Sequence, residues 1–182
     1  MEVGFGYAIL GPMCAEKTTQ LLRIANELRK ENITYKIIKH PVDTRYGAIE
    51  QICSHNNERE SCICVDDMVK FLDTNTYKSN KVFLIDETQF YDRTIVDFFD
   101  KAIIDGKIVI FAGLSGDFNM GQFGEIYNLV PKCEYVNFLN AKCYKCSKPA
   151  QFTSKVTGTH QTQEVGSVDM YKPCCREHYI KY

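Results

Sequence analysis

The chain has 182 residues, 45% of them hydrophobic and 25% charged, with a formal net charge of -1 at pH 7. That composition suits one soluble domain of ordinary size with a small appendage. It lacks the basic excess of a nonspecific nucleic-acid binder, and no apolar run reaches the ~18 residues that span a bilayer, so neither nucleic acid nor membrane is an expected partner.

The N-terminal stretch MEVGFGYAIL carries no basic leader and reads as a first buried strand running into Gly11 and Pro12 rather than as an export signal. Nine cysteines, an odd number without such a signal, argue against a disulfide framework and for metal binding by any clustered subset. The expected compartment is a reducing cytoplasm. After Thr18 the apolar residues Leu21, Leu22, Ala25 and Leu28 recur at helical spacing. YKIIK (35–39) reads as a second strand and VDDMVKFLD (65–73) as a short helix. VFLID (82–86) is a continuous apolar run ending in acid, followed by a helix carrying Ile95, Val96, Phe99 and Ile103, and KIVIFAG (107–113) is a further buried strand. Apolar strands without alternation, separated by helices, predict an α/β fold with a parallel sheet covered on both faces. Ligands of such sheets sit at the carboxyl ends of the strands, where Gly11 and Asp86 fall. Beyond about residue 140 the texture turns to cysteine, lysine, threonine and glycine. The expected division is an α/β nucleotide-binding domain over 1–140 and a small lobe over 141–182.

Three constellations carry chemistry. The first is GPMCAEKT, residues 11–18, which fits G-x-x-x-x-G-K-[ST] except at Glu16, where the second glycine belongs. In such a loop the backbone of Gly11, Pro12, Met13, Cys14, Ala15 and Glu16 would curl round phosphate, donating N–H groups at every position but proline, Lys17 would reach the outer phosphates and the Thr18 hydroxyl would ligate magnesium. The second is Asp86–Glu87 at the end of a buried strand, where an aspartate can organise the magnesium ion and a neighbouring carboxylate can accept the proton of an attacking hydroxyl. The third is the pair Cys143-x2-Cys146 with Cys175-x2-His178, a donor set that suits a closed, structural zinc site. Spacing alone leaves open whether Cys174 or Cys175 supplies the sulfur. Cys14, Cys53, Cys62, Cys64 and Cys133 read as ordinary thiols.

Taken in order, GPMCAEKTTQLL, DTRYG (43–47), LIDETQF (84–90), AGLSGDF (112–118), FGEIYNLVP (123–131), the C-x2-C pair and VDMYKPCCREH (168–178) resemble the type II thymidine kinases, cellular and viral, over nearly the whole chain. The resemblance implies a P-loop (RecA-like) α/β domain with a zinc-bearing lobe whose lasso loop closes over thymidine. It also implies a homotetramer and transfer of the γ-phosphate of ATP to the 5′-hydroxyl of thymidine with magnesium. By motif, Lys17, Thr18 and Asp86 would hold phosphate and magnesium, Glu87 would be the general base, and Arg45 would be an active-site arginine near the transferred group. Met13, Phe90, Leu114, Phe118 and Phe123 match the base pocket. Asp43 belongs with the retained thymidine side, and Thr153 and Tyr171 match lasso positions that contact the nucleoside.

The departures fall mostly on the triphosphate side. Glu16 replaces a glycine, 119–122 (NMGQ) lacks the basic residue usual there, and Ser115 stands where aspartate is frequent. A carboxylate about 6 Å from a phosphate charge at an effective dielectric near 20 costs on the order of 2 to 3 kcal/mol, enough to predict a ~100-fold loss in nucleotide affinity or rate. Two readings follow: a thymidine kinase, active or impaired by Glu16, and a nucleoside-binding pseudokinase or regulatory subunit. A nucleic-acid-binding zinc module would rest on the Cys/His pairs alone. His178 in place of a fourth cysteine leaves the zinc reading intact, since histidine ligates zinc equally well.

Overall fold

The computed structural model describes residues 3–43, 50–53, 58–156 and 170–179. Strand β1 (Phe5–Gly11) feeds helix α1 (Lys17–Lys30), which is followed by β2 (Tyr35–Lys39) and a hairpin of β3 (Gln51–Cys53) and β4 (Arg59–Ser61). Next come β5 (Ile63–Cys64), the short helices α2 (Met68–Phe71) and α3 (Asn75–Ser79), β6 (Val82–Asp86), α4 (Thr94–Ile104) and β7 (Ile108–Leu114). The remainder holds α5 (Ile126–Leu129), β8 (Tyr135–Phe138), β9 (Ala141–Lys142), β10 (Pro149–Ala150), β11 (Phe152–Lys155) and β12 (Tyr171–Cys174).

Six strands form one sheet in the order β5-β2-β6-β7-β1-β8, every neighbouring pair parallel. Alternate residues feed two cores. Ala8, Leu10, Phe83, Ile85, Val109 and Phe111 face α2, α4 and α5, while Ile9, Leu84, Ile110 and Ala112 face α1. Burial on both faces is why these strands read as unbroken apolar runs, and the expected helix-flanked parallel sheet is the architecture found. The helical periodicity of α1 has the same origin: Leu21, Leu22 and Ala25 are buried on the sheet. Its far end closes with Asn32 in a left-handed conformation and the Ile33 N–H donating to the Leu28 carbonyl at 2.9 Å.

One element is shorter than expected. The predicted helix 65–73 is helical only over Met68–Phe71, because the Asp67 side chain caps it by accepting from the Val69 and Lys70 N–H groups, and Val65 instead extends toward β2 through its bond to the Lys39 carbonyl. The sheet register brings Lys39 beside Asp86 and Gly11 beside Leu114, so the carboxyl ends of four strands share one edge. A side chain at Gly11 would lie 2.7 Å from the Leu139 carbonyl oxygen, so only glycine lets the chain turn there beside the strand β8 exit. No helix among the described residues is long and apolar enough to cross a membrane.

Phe83 is fully buried and packs edge-on against Phe71 and Phe98 and stacked on Tyr77. Phe83→Ala is expected to destabilise the protein by about 3 to 5 kcal/mol, measured by urea denaturation.

Candidate active site

The loop 12–16 leaves β1 and enters α1 through two left-handed residues, Cys14 (φ 60°) and Glu16 (φ 59°). Glu16 thus keeps the backbone conformation for which a glycine is favoured, and its side chain is exposed. No side chain caps α1, and its first turn contains no acid, so its N-terminal N–H groups remain available to an anion. The Lys17 ammonium is buried and donates to the Pro12 carbonyl at 2.7 Å, arching over the loop. Beside the loop opens a cleft of about 530 Å³ lined by Cys14, Glu16, Gln20, Arg23, Asn140 and Lys142 among others.

Strand β6 delivers the acidic pair to the same edge. The Thr18 hydroxyl donates to Asp86 Oδ2 at 2.9 Å, and the Glu87 N–H donates to Asp86 Oδ1 at 3.0 Å, so both oxygens of this buried carboxylate are engaged. A hydroxyl and a carboxylate held this close are hard oxygen donors of the kind that bind a magnesium ion together. Glu87 is also left-handed (φ 50°) and buried, and its carboxylate accepts a hydrogen bond from the Gln89 amide.

The apolar candidates gather in two groups. Phe90 and Phe123 meet edge-on with ring centroids 5.9 Å apart, and Phe118 and Tyr171 lie tilted at 6.0 Å. Leu114 ends β7 opposite Gly11. The Met13 N–H donates to the Thr153 hydroxyl at 3.0 Å, a direct tie between the loop and β11. Asp43 is buried, and its carbonyl accepts from the Lys39 ammonium, which also reaches the Gln51 carbonyl. Arg45 and residues 157–169 of the expected lasso lie outside the described residues.

Three side chains at this edge escape a reading of the sequence. Lys155 is buried with its ammonium 5.1 Å from the Phe118 ring centroid and 5.6 Å from that of Tyr171. Lys39 and Gln89 are the others. Gln89 lies inside LIDETQF, yet nothing in a linear motif tells an inward amide from a surface one. A lysine closing a strand directly after an apolar pair, as Lys39 does after Ile37 and Ile38, is the one signal the sequence offered.

In the small lobe, Cys143, Cys146, Cys175 and His178 bring their donor atoms within 4.8 Å of one another. The Cys146–Cys175 sulfurs are 3.7 Å apart, and His178 Nδ1 lies 3.7 Å from Cys143 Sγ and 3.3 Å from Cys175 Sγ. Bond lengths of about 2.3 Å to sulfur and 2.0 Å to nitrogen place tetrahedral edges near 3.8 and 3.6 Å, so the donor set fits a zinc ion. Burial pushes the Cys143 thiol up, but backbone N–H groups of Cys175, Lys145 and Cys146 outweigh it and bring the thiol down to about 6, favouring the thiolate that metals bind. Cys174, left open by spacing alone, points elsewhere. It is fully buried, stands outside the cluster, and burial pushes its thiol up to about 11. The lobe packs on the loop through Ala15, Ala141, Cys143, Ala150, Cys174 and Cys175. Cys175→Ala is expected to lose most of about one bound zinc per chain while Cys174→Ala keeps it, as read by elemental analysis of the purified proteins.

Comparison with known proteins gives the family. A family model described as thymidine kinase matches residues 5–179. A thymidine kinase of Oryza sativa subsp. japonica is 37% identical over 179 residues, 96% of this chain and 65% of the relative, so the chain spans about two thirds of that protein's length. Thymidine kinases of Yaba monkey tumor virus (strain VR587) and Sheeppox virus (strain KS-1) are 34% and 32% identical, covering 98% and 99% of this chain and 96% and 99% of their own. Among solved structures, the replication initiator DnaA bound to AMPPCP and single-stranded DNA overlaps 75% of this chain and 40% of its own at a TM-score of 0.47 and 17% identity, a likeness too partial to bear on function. A match running from the first strand to the last turn takes in the loop, the acidic pair, the aromatic groups and the Cys/His cluster alike: the chain belongs to the thymidine kinase family.

Proposed function

We propose that the protein transfers the γ-phosphate of ATP to the 5′-hydroxyl of thymidine, giving dTMP and ADP. The observation that carries this reading is the convergence of Lys17, the Thr18–Asp86 hydrogen bond and the buried Glu87 on one edge of the sheet. The phosphates lie against the loop and the open N-terminus of α1, with the donor's nucleoside in the cleft between Glu16, Arg23 and Asn140. Thr18 and Asp86 would hold a magnesium ion, which would supply charge to screen the phosphates. Glu87 accepts the proton of the 5′-hydroxyl as that oxygen attacks the γ-phosphorus and the bond to the β–γ bridging oxygen breaks. Lys17 stabilises the charge spread over the transferred group. Thymine rests among Met13, Leu114, Phe118 and Tyr171, with Phe90 and Phe123 beside it, and Asp43, Thr153 and the lasso complete the enclosure. Arg45 acts near the transferred group, as the family resemblance implies. Cys143, Cys146, Cys175 and His178 would hold a zinc ion, which would fix the lobe that packs on the loop. The protein works as a homotetramer in the cytoplasm.

The exposed position of Glu16 favours a working enzyme over a disabled one. Glu16 is exposed, so water screens its charge, and its cost falls from the value expected for a charge inside the cradle to about 1 kcal/mol. A nucleoside-binding protein without turnover is the second reading, favoured by the same carboxylate lining the cleft assigned to the donor.

Steady-state phosphorylation of thymidine by Mg-ATP tests both. Turnover in the parent is expected, with Glu16→Gly raising kcat/KM for Mg-ATP by about 3- to 10-fold and leaving the KM for thymidine unchanged. A parent that binds thymidine but never turns over would hand the case to the second reading. Glu87→Gln is expected to lower kcat by at least ~100-fold with thymidine affinity retained; an undiminished rate would remove Glu87 from its role as base.

A further inference from the structure

We infer that Gln89 is a positioning residue: its side-chain amide fixes the Glu87 carboxylate against the end of strand β7. The inference rests on the reading of Glu87 as the general base. Gln89 follows Glu87 in the single 3-10 turn Thr88–Phe90 and is 2% exposed. Both ends of its amide are used. Nε2 donates to Glu87 Oε2 at 2.5 Å, and Oε1 accepts from the Leu114 N–H at 3.1 Å.

These partners leave the amide a single orientation. A backbone N–H only donates and an ionised carboxylate only accepts, so a flipped amide would lose both bonds. The backbone is held as firmly as the side chain. Gly124 has φ +59° and approaches so closely that a Cβ there would stand 2.2 Å from the Gln89 carbonyl oxygen, a contact only glycine permits. Gln89 therefore cannot slide away from β7 on one side or from the 124 segment on the other.

The consequence falls on Glu87. Its backbone is left-handed, and the Gln89 N–H holds one carboxylate oxygen, Oε2, in place. In general a hydrogen bond donated to a carboxylate favours the ionised form, the form that can accept a proton. Because Leu114 stands on the other side of the same amide, the base and one wall of the proposed thymidine pocket are set by one side chain. Geometry of this kind matters most in the transition state, so its loss should appear in kcat more than in thymidine binding.

Gln89→Glu tests the inference, because it keeps the size and the acceptor for Leu114 but removes the donor to Glu87 and adds a like charge. Three readouts are compared with the parent: the pH profile of kcat, the KM for thymidine, and the Glu87 carboxyl midpoint by carbon-13 NMR of the labelled protein. The acid limb and the NMR midpoint are expected to rise by about one unit or more, kcat at pH 7 to fall by at least ~10-fold, and the KM for thymidine to move less than ~3-fold. An unmoved acid limb and midpoint, with kcat within about twofold of the parent, would overturn it. So would a lower thermal midpoint alone, which marks a structural role. If the variant does not fold, the parent still decides: the nitrogen-15 shift of the Gln89 side-chain amide must titrate with the Glu87 carboxyl, and a flat response refutes the coupling. If the parent itself never phosphorylates thymidine, the kinase reading fails, while the two NMR titrations still decide whether Gln89 governs Glu87.

Discussion

The site depends on two strands that are not neighbours ending at the same level. Strand β7 lies between β1 and β6, and parallel pairing on both sides carries Gly11 and Asp86 to one edge, where the Thr18 hydroxyl can reach the Asp86 carboxylate. A slip of one residue in either pairing would exchange the two faces of a strand, putting each side chain in the other core, and would part Thr18 from Asp86. The register is strongly held because both faces of the sheet are packed, so the hydrophobic core specifies the placement of the chemistry.

Local backbone at this edge is unusual. Cys14, Glu16 and Glu87 all have positive φ, although each carries a side chain that disfavours it. Conformations of this kind cost on the order of 1 kcal/mol each and persist where surrounding structure imposes them. The surroundings here are identifiable. Ala15 is buried against the small lobe between Cys14 and Glu16, and Glu87 is followed by a turn that Gln89 anchors to β7. The strain lies in the loop and at the carboxylate to which the proposed function assigns phosphate and the substrate hydroxyl.

The small lobe takes part in the site. Its Cys/His cluster holds together turns that are far apart in sequence, and β11 next to them supplies the Thr153 hydroxyl to the Met13 N–H. The Tyr144 N–H bonds the Pro173 carbonyl, joining the two halves of the cluster by backbone as well. Lys155 places its ammonium over Phe118 and Tyr171, so the lobe also shapes the aromatic group from its far side. A metal held by this cluster would therefore steady the loop and the aromatic group together.

The sequence by itself determined the class of fold and the chemical parts. Strands buried on both faces leave unbroken apolar runs, a phosphate loop and an acidic strand end are local patterns, and four metal donors in two close pairs announce themselves by spacing. Local patterns, however, say nothing about what stands opposite. The choice of Cys175 over Cys174 turns on which neighbour of a strand end faces His178. The left-handed backbone of Glu16 at the head of α1 is set by the loop around it, and the contacts of Gln89, Lys39 and Lys155 involve partners 25, 12 and 37 residues away. Those contacts exist only once the sheet has set its register, because a side chain's chemistry is written in the sequence but its partners are supplied by packing.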